Sequence, residues 1–300
     1  KIITKMIYHQ DEPISDPVCF PIYYAAKAAK KNNIKVCQVG EGADELFFGY
    51  VNWKRTIKFD KILNSFFFPN ILKRFLIFLY ELFRIDHKYS LDLIKRSLRG
   101  EVLFWGGAEA FTSNEKSRML SEHFKRRNPN LNSWDCIKKY YKIFHSKAKF
   151  KTKENWMTYL DLKLRLPELI LMRIDKMTMA LGIEARVPFL DHSLVEKFID
   201  IPSDLKFKKN KLKTLLKDSV KKILPKVILT RPKQGFGLPL KEWFSDGLNF
   251  NEKKIIEEFC SKTDFFNINE IKKILARKGD TRVWFLLNLA IWWGIFIEKK

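Results

Sequence analysis

The segment GEGADE, residues 40–45, places three carboxylates, Glu41, Asp44 and Glu45, around two glycines. It follows an apolar, partly β-branched run, IKVCQV, residues 34–39. Glycine at 40 and 42 lets the backbone approach a ligand and adopt dihedrals closed to other residues. Free amides at the start of a following helix favour an anion, yet carboxylates in the same loop repel a phosphate. A divalent cation between them removes the conflict, because Mg²⁺ takes one or two carboxylates together with phosphate oxygens. The loop therefore reads as a Mg-nucleotide site. The plainer alternative is that acids in a first helical turn only complement the helix dipole.

A second stretch, TRPKQGFGLPL, residues 230–240, sets Arg231 and Lys233 in a turn rich in glycine and proline. Such cations clamp phosphates and stabilise charge on a leaving group. Taken alone, the stretch is equally a solvated basic loop.

These groups need elements to hold them. Residues 21–33, PIYYAAKAAKKNN, carry proline in a first helical turn, alanines of high propensity and lysines on one side. Residues 34–39 then read as a short buried strand. Helix, strand, tight loop and helix in that order is the pattern of an open α/β sheet, in which ligands sit at the carboxyl ends of strands. Residues 59–150 read as helical, with no catalytic constellation. Gly106 and Gly107 mark a turn or a close helix approach there. A helix within 164–192 is expected to end near Gly182. Residues 191–202 form a short helix with Asp191 as N-cap, and 210–225 another amphipathic helix. The fold class expected is α/β and mostly helical.

The chain has 300 residues, 46% of them hydrophobic, enough for a sizeable core. Its formal net charge is +23. That charge suits a soluble lysine-rich surface, an anionic small-molecule substrate, or a nucleic acid or anionic membrane surface. The lysines are spread along the chain, so nucleic acid is not expected as a partner. The four cysteines, Cys19, Cys37, Cys136 and Cys260, show no metal-ligand spacing and read as free thiols in a reducing compartment, taken as the cytoplasm. Residues 283–297 are apolar but short for a span and read as a buried terminal helix. The greasy run FFFPNILKRFLIFLYELF, residues 66–83, reads as an amphipathic helix packed on the core, with an interfacial or partner-binding helix as the alternative. Membrane contact is not expected.

Four ordered motifs carry a resemblance. GEGADELFFGY resembles the SGEGxDExFGGY segment of the glutamine-dependent asparagine synthetases. RIDKMTMALGIEARVPFLDH, residues 173–192, is similar to that family's RxDKxxMAxGxEARVPFLDH block, and RPKQGFGLPLKEW, residues 231–243, to its KQGFxxPLxxW block. DEPISDP, residues 11–17, is similar to the segment that precedes the first motif. The resemblance implies a partial adenine-nucleotide α-hydrolase-like (ATP pyrophosphatase) parallel sheet with helical additions. The domain is expected to span 1–300, with 59–150 divergent. It implies an amide-forming ligase that adenylates a carboxylate, most simply aspartate, using ATP and Mg²⁺. Ammonia made from glutamine then gives asparagine, AMP and pyrophosphate.

Residue by residue, the resemblance makes Val39, Gly40 and Gly42 nucleotide-contacting positions. It makes Glu41 the acid needed for the acyl-adenylate and its aminolysis, and Asp44 the carboxylate that holds Mg²⁺ on the pyrophosphate. Lys233 matches the lysine that steadies the phosphoryl charge, with Lys211 and Lys213 near another basic position. Asp175, Lys176, Glu184 and Arg186 are implied to organise the floor of the cleft. Val39 stands where serine is usual, and Phe48 where glycine is usual. The family's pyrophosphate loop, SGGxDS, does not occur in residues 1–300. The chain is therefore expected to be the C-terminal portion of a longer synthetase that also carries an N-terminal glutaminase domain, and to be inactive by itself. The alternatives are a related ligase for another carboxylate, in a surface polysaccharide or a peptide, and a degenerate, non-catalytic binding fragment.

Overall fold

The computed structural model describes residues 2–83, 89–199, 201–207, 211–231, 235, 237–245 and 250–299. Helices dominate them. In chain order they begin with α1 (Ile2–Gln10), α2 (Cys19–Lys31), strand β1 (Val36–Gln38) and the single turn α3 (Ala43–Leu46). The helical region follows as α4 (Val51–Leu63), α5 (Asn70–Leu82), α6 (Tyr89–Leu98), α7 (Ser113–Met119), α8 (Glu122–Arg127) and α9 (Ser133–Lys147). One long rod then runs as α10 (Lys153–Leu160), a π-helical segment (Asp161–Leu171) and α11 (Met172–Met179). Strand β2 (Glu184–Arg186) and a 3₁₀ turn (Pro188–Leu190) lead to α12 (His192–Ile199), α13 (Ser203–Lys206) and α14 (Thr214–Val220). Next come α15 (Lys226–Thr230), α16 (Leu240–Trp243), α17 (Phe250–Thr263), α18 (Ile268–Leu275) and α19 (Arg282–Phe296).

Local chemistry explains several boundaries. Gly182, at φ +70°, stops the chain just beyond α11, as its position predicts. The Asp191 carboxylate accepts from the amides of Ser193 and Leu194 at 3.0 and 3.3 Å and so caps α12. Thr112 and Glu115 form a reciprocal capping box on α7.

β1 and β2 pair in parallel, with Val36 opposite Glu184, Cys37 opposite Ala185 and Gln38 opposite Arg186. The expectation of a buried strand needs correcting. The strand is three residues long, and Val36 is 40% exposed. Each strand has one neighbour among the described residues, and only one face is covered. There Val39, Ala185 and Leu190 pack on Leu166, Ile170 and Ile174 of the rod. The expected 210–225 helix is also shorter. Its described part begins at Thr214, because Lys213 takes a left-handed backbone conformation at φ +54°.

The main core joins α1, α2 and α7 to the C-terminal helices through Met6, Phe20, Tyr23, Ile256, Trp284 and Leu287. The terminal apolar run is the buried helix α19, and no helix among the described residues is long and apolar enough to cross a membrane. A second, aromatic core holds Phe48, Trp53, Phe104, Phe144 and Trp156. The four cysteines are free thiols, and burial pushes Cys19 up to about 12.

Phe48 stands at φ +58°, where a bulky residue is strained, yet it is fully buried. Its ring lies 4.5 Å from that of Phe207 and 5.0 Å from that of Trp53. Ring burial outweighs the strain: truncation costs about 3–5 kcal/mol, against roughly 1–2 kcal/mol for the backbone. Phe48→Ala should therefore lower unfolding stability by about 3 kcal/mol or more. Phe48→Gly, which removes the strain as well, should lose about 1 kcal/mol less than Phe48→Ala. Urea unfolding of the three proteins checks the order Phe, Gly, Ala.

Candidate active site

The acidic loop leaves the carboxyl end of β1, where the Val39 amide donates to the Arg186 carbonyl at 2.8 Å. Val39 is thus fixed through its backbone and packs its side chain on the rod. At Gly42 the chain turns with φ +89°, and a Cβ there would fall 2.3 Å from Cδ2 of Leu190. Glycine at 42 therefore allows both the turn and the close approach of the 3₁₀ turn.

The three acids meet three environments. Glu41, partly exposed, has Oε1 3.8 Å from the guanidinium of Arg173, which also bonds the carboxylate of Asp16. Arg173 is 7% exposed, so one buried cation joins the DEPISDP segment to the loop. Asp16 is held in turn, since its carboxylate accepts from the Val18 amide at 3.0 Å. The Trp284 and Trp292 indoles tie the Ser15 and Asp11 carbonyls of that segment to α19.

Asp44 pairs with Lys213, Oδ1 to Nζ 2.8 Å, with both side chains about one-fifth exposed. Gly49 makes room for the pair, because a Cβ there would lie 1.8 Å from Asp44 Oδ1 and 2.4 Å from Lys213 Cε. Glu45 is buried. Its Oε1 accepts from the Tyr50 hydroxyl at 2.6 Å, and its backbone carbonyl accepts from Thr158 at 3.1 Å. Burial pushes the Glu45 carboxyl above the usual range, opposed by the Tyr50 hydrogen bond.

Behind Tyr50 stands Arg165, its guanidinium 4.5 Å from the ring centre. It pairs with the buried Asp161 at 3.3 Å, which also accepts the Gly107 amide at 3.0 Å. Burial raises Asp161 to about 6, with Arg165 and the Gly107 amide opposing. Both arginines and Asp161 project from the rod, three of whose turns widen into the π-helical segment around Pro167. π-helical insertions re-aim side chains and recur at functional sites. A cleft of about 670 Å³ lies alongside, lined by Glu12, Asp16, Gly107, Arg165, Glu168 and Met172 among others.

Of the residues picked out from sequence, Val39, Gly40, Glu41, Gly42 and Asp44 share this loop, and Lys213 reaches it from the start of α14. Lys211 is not brought in: it is exposed, and its carbonyl accepts from the Thr214 hydroxyl. Lys233 lies outside the described residues. Glu184 and Arg186 pair with each other at 2.8 Å on the exposed sheet, and Lys176 pairs with Asp11 at 2.6 Å. Sequence reasoning missed Asp16 and Arg173 as a pair, although both lie in quoted motifs. It also missed Tyr50, Asp161 and Arg165. An ion pair spanning 157 residues leaves no local signature. No group of three or more His, Cys, Asp or Glu side chains among the described residues forms a metal cage. Asp44 is instead a single carboxylate in contact with a lysine, a donor set that suits a cation shared with phosphate oxygens and waters.

Comparison with known sequences adds a family. The family model described as asparagine synthase matches residues 1–293. Asparagine synthetase [glutamine-hydrolyzing] 1 of Bacillus subtilis is 32% identical over 319 residues, covering 99% of this chain and 46% of that protein. A putative asparagine synthetase [glutamine-hydrolyzing] of Mycobacterium tuberculosis is 27% identical over 306 residues, covering 99% and 45%. The asparagine synthetase of Gallus gallus is 42% identical over 81 residues, 25% of this chain and 14% of its own length. The chain thus spans about half the length of the first two relatives.

The Asp161 environment sets a pH dependence. Its folded-state pKa, about 6, lies above the ordinary 3.8, so the folded chain binds this proton more tightly than the unfolded chain. The stability it contributes is present at low pH and is lost as pH rises through about 6. Asp161→Asn keeps an acceptor for Gly107 and removes the titration. The stability difference, wild type minus variant, should therefore fall between pH 4.5 and pH 7 by roughly 2 kcal/mol or more. Chemical unfolding of both proteins at the two pH values measures it.

Proposed function

Because the chain belongs to the asparagine synthase family, we propose that it carries the ligase site of a glutamine-hydrolysing asparagine synthetase. On this reading residues 1–300 are the C-terminal synthetase domain, with 59–150 a divergent helical region. The short parallel sheet is then part of an ATP-pyrophosphatase-like core. The rest of the enzyme, with the SGGxDS loop and the glutaminase domain, supplies the pyrophosphate nest and ammonia, and the protein works in the cytoplasm. The observation that carries the proposal is the convergence of Glu41, Asp44 and Lys213 at the carboxyl end of β1. Open α/β sheets bind ligands at that place.

The chemistry follows from charge. A side-chain carboxylate oxygen of aspartate attacks the α-phosphorus of ATP, the bond to pyrophosphate breaks, and an acyl-adenylate forms. Ammonia then adds to the acyl carbon, a proton leaves the nitrogen, and AMP departs with the electrons of the C–O bond. Glu41 is suited to take that proton: it is part-exposed, reachable and oriented by Arg173. Lys213 exchanges its partner, from the Asp44 carboxylate to the phosphate oxygens, when nucleotide enters. Asp44 would hold Mg²⁺, which when bound neutralises pyrophosphate charge. Lys233 is proposed to steady the same charge from the following loop. Val39, Gly40 and Gly42 supply backbone against the nucleotide.

A second acceptor class is supported by the cleft. Its lining carries Glu12, Asp16, Glu109 and Glu168 against Arg165. That excess of acid suits an amine-bearing carboxylate, and the volume has room for one larger than aspartate.

Pyrophosphate–ATP exchange on the native-length enzyme tests the proposal. Aspartate should drive exchange in the wild type, and Asp44→Asn should lower it at least about 10²-fold. Glu41→Gln should slow amide formation by about 10²–10⁴-fold. Exchange driven by another carboxylate and not by aspartate would move the enzyme to the second acceptor class. Exchange unaffected by Asp44→Asn together with amide formation unaffected by Glu41→Gln would remove the site.

A further inference from the structure

Helix α5 uses only one of its faces. Leu76, Ile77 and Tyr80 pack on Leu63, Leu93, Ile94 and Leu103. The opposite face sets Ile71, Phe75, Phe78 and Leu82 in one exposed stripe at helical spacing. Phe66 and Phe67, in the turn that joins α4 to α5, are 95% and 88% exposed. The expected helix packed on the core is thus half right, and its outer half is an apolar surface too continuous for scattered surface residues.

The charges around it identify the occupant. Residues 51–83 contain six basic and two acidic side chains. Both acids are already neutralised: Asp60 is buried and paired with Lys153, and Glu81 pairs with Lys95 at 2.9 Å. Arg74, beside the stripe, and Lys58 and Lys61 on α4 are exposed. α5 and the turn before it therefore present aromatic and aliphatic groups with Arg74 exposed among them, on a chain of net charge +23. A second copy would bring like charge against like charge. An anionic lipid surface satisfies both features. α5 has 13 residues, too few to span, so its apolar face would lie in the plane of the interface.

We propose that α5 and the turn leading into it are a peripheral docking element for an anionic bilayer, with the Phe66–Phe67 turn and the outer face of α5 entering the interface. This places the enzyme beside membrane-bound material. It stands independently of the ligase assignment, because its readout contains no catalytic step.

Flotation of the native-length protein tests it, with vesicles of phosphatidylcholine alone and of phosphatidylcholine with phosphatidylglycerol. The protein should float with the phosphatidylglycerol vesicles and remain behind with the neutral ones, and added salt should release it. Phe75→Ser with Phe78→Ser should reduce partitioning more than about tenfold while leaving the thermal unfolding midpoint unchanged, since both rings are exposed. Lys58→Glu with Arg74→Glu should abolish the lipid-charge dependence. Equal flotation of the serine variant and the wild type would overturn the proposal. So would failure of the wild type to float at all. A dimer that the serine substitutions dissolve, without vesicle binding, would assign the face to a second copy and overturn it too.

Discussion

Much of the site hangs on a buried guanidinium that must not be left unpaired. Arg173 is almost out of solvent, on the rod that runs through the middle of the chain. A cation in that place costs several kcal/mol unless carboxylates meet it. Asp16 and Glu41 do so, and they come from segments on either side of β1. The N-terminal DEPISDP segment is thereby fixed to the rod, and the loop after β1 is fixed to both. Losing both acids would leave an uncompensated buried charge, so the geometry of the loop is tied to the stability of the fold.

That constraint explains how three acids can share six residues of chain without repelling one another apart. Each is given a different counterpart. Glu41 faces a buried arginine, Asp44 an accessible lysine, and Glu45 a tyrosine hydroxyl within the core. The pairs differ in exposure. The Asp44–Lys213 pair keeps about one-fifth of each side chain in solvent. The Glu45 carboxyl, held by a phenol, is buried. The loop thus combines one buried anchor, one acid held by an arginine and one part-exposed ion pair. Asp161 and Arg165 extend the permanent part toward the cleft, and the π-helical segment places them on the inner side of the rod.

What was legible in the sequence was what depends on neighbours along the chain. The helix–strand–loop order over 19–46, the Gly182 stop, the Asp191 cap and the buried terminal helix are all local or periodic signals. The placing of Glu41, Asp44 and Gly42 at a strand end followed from that order. The burial of β1 did not, because an apolar run reports propensity and cannot report how many strands lie beside it. Nor did the role of Arg173, whose partner is remote in sequence. Lys213 is indicated only by the resemblance, as lying near a basic position, and the helix expected over 210–225 is shorter in the structure, Thr214–Val220. Its left-handed backbone and its pairing with Asp44 have no signal in a lysine.

The strong positive charge of the chain is then a property separate from its chemistry. At the site every cation described is matched: Arg173 by two acids, Lys213 by Asp44, Arg165 by Asp161. The lining of the neighbouring cleft is acidic on balance. The exposed Arg55, Lys58, Lys61 and Arg74 lie outside those pairs and act through long-range attraction or surface contact. On α4 and α5 that charge coincides with unburied phenylalanines, whereas a surface selected only for solubility would keep the two apart. One physical division follows. Paired charge inside the fold fixes the loop after β1, and on the proposed reading unpaired charge outside it decides where the molecule is held.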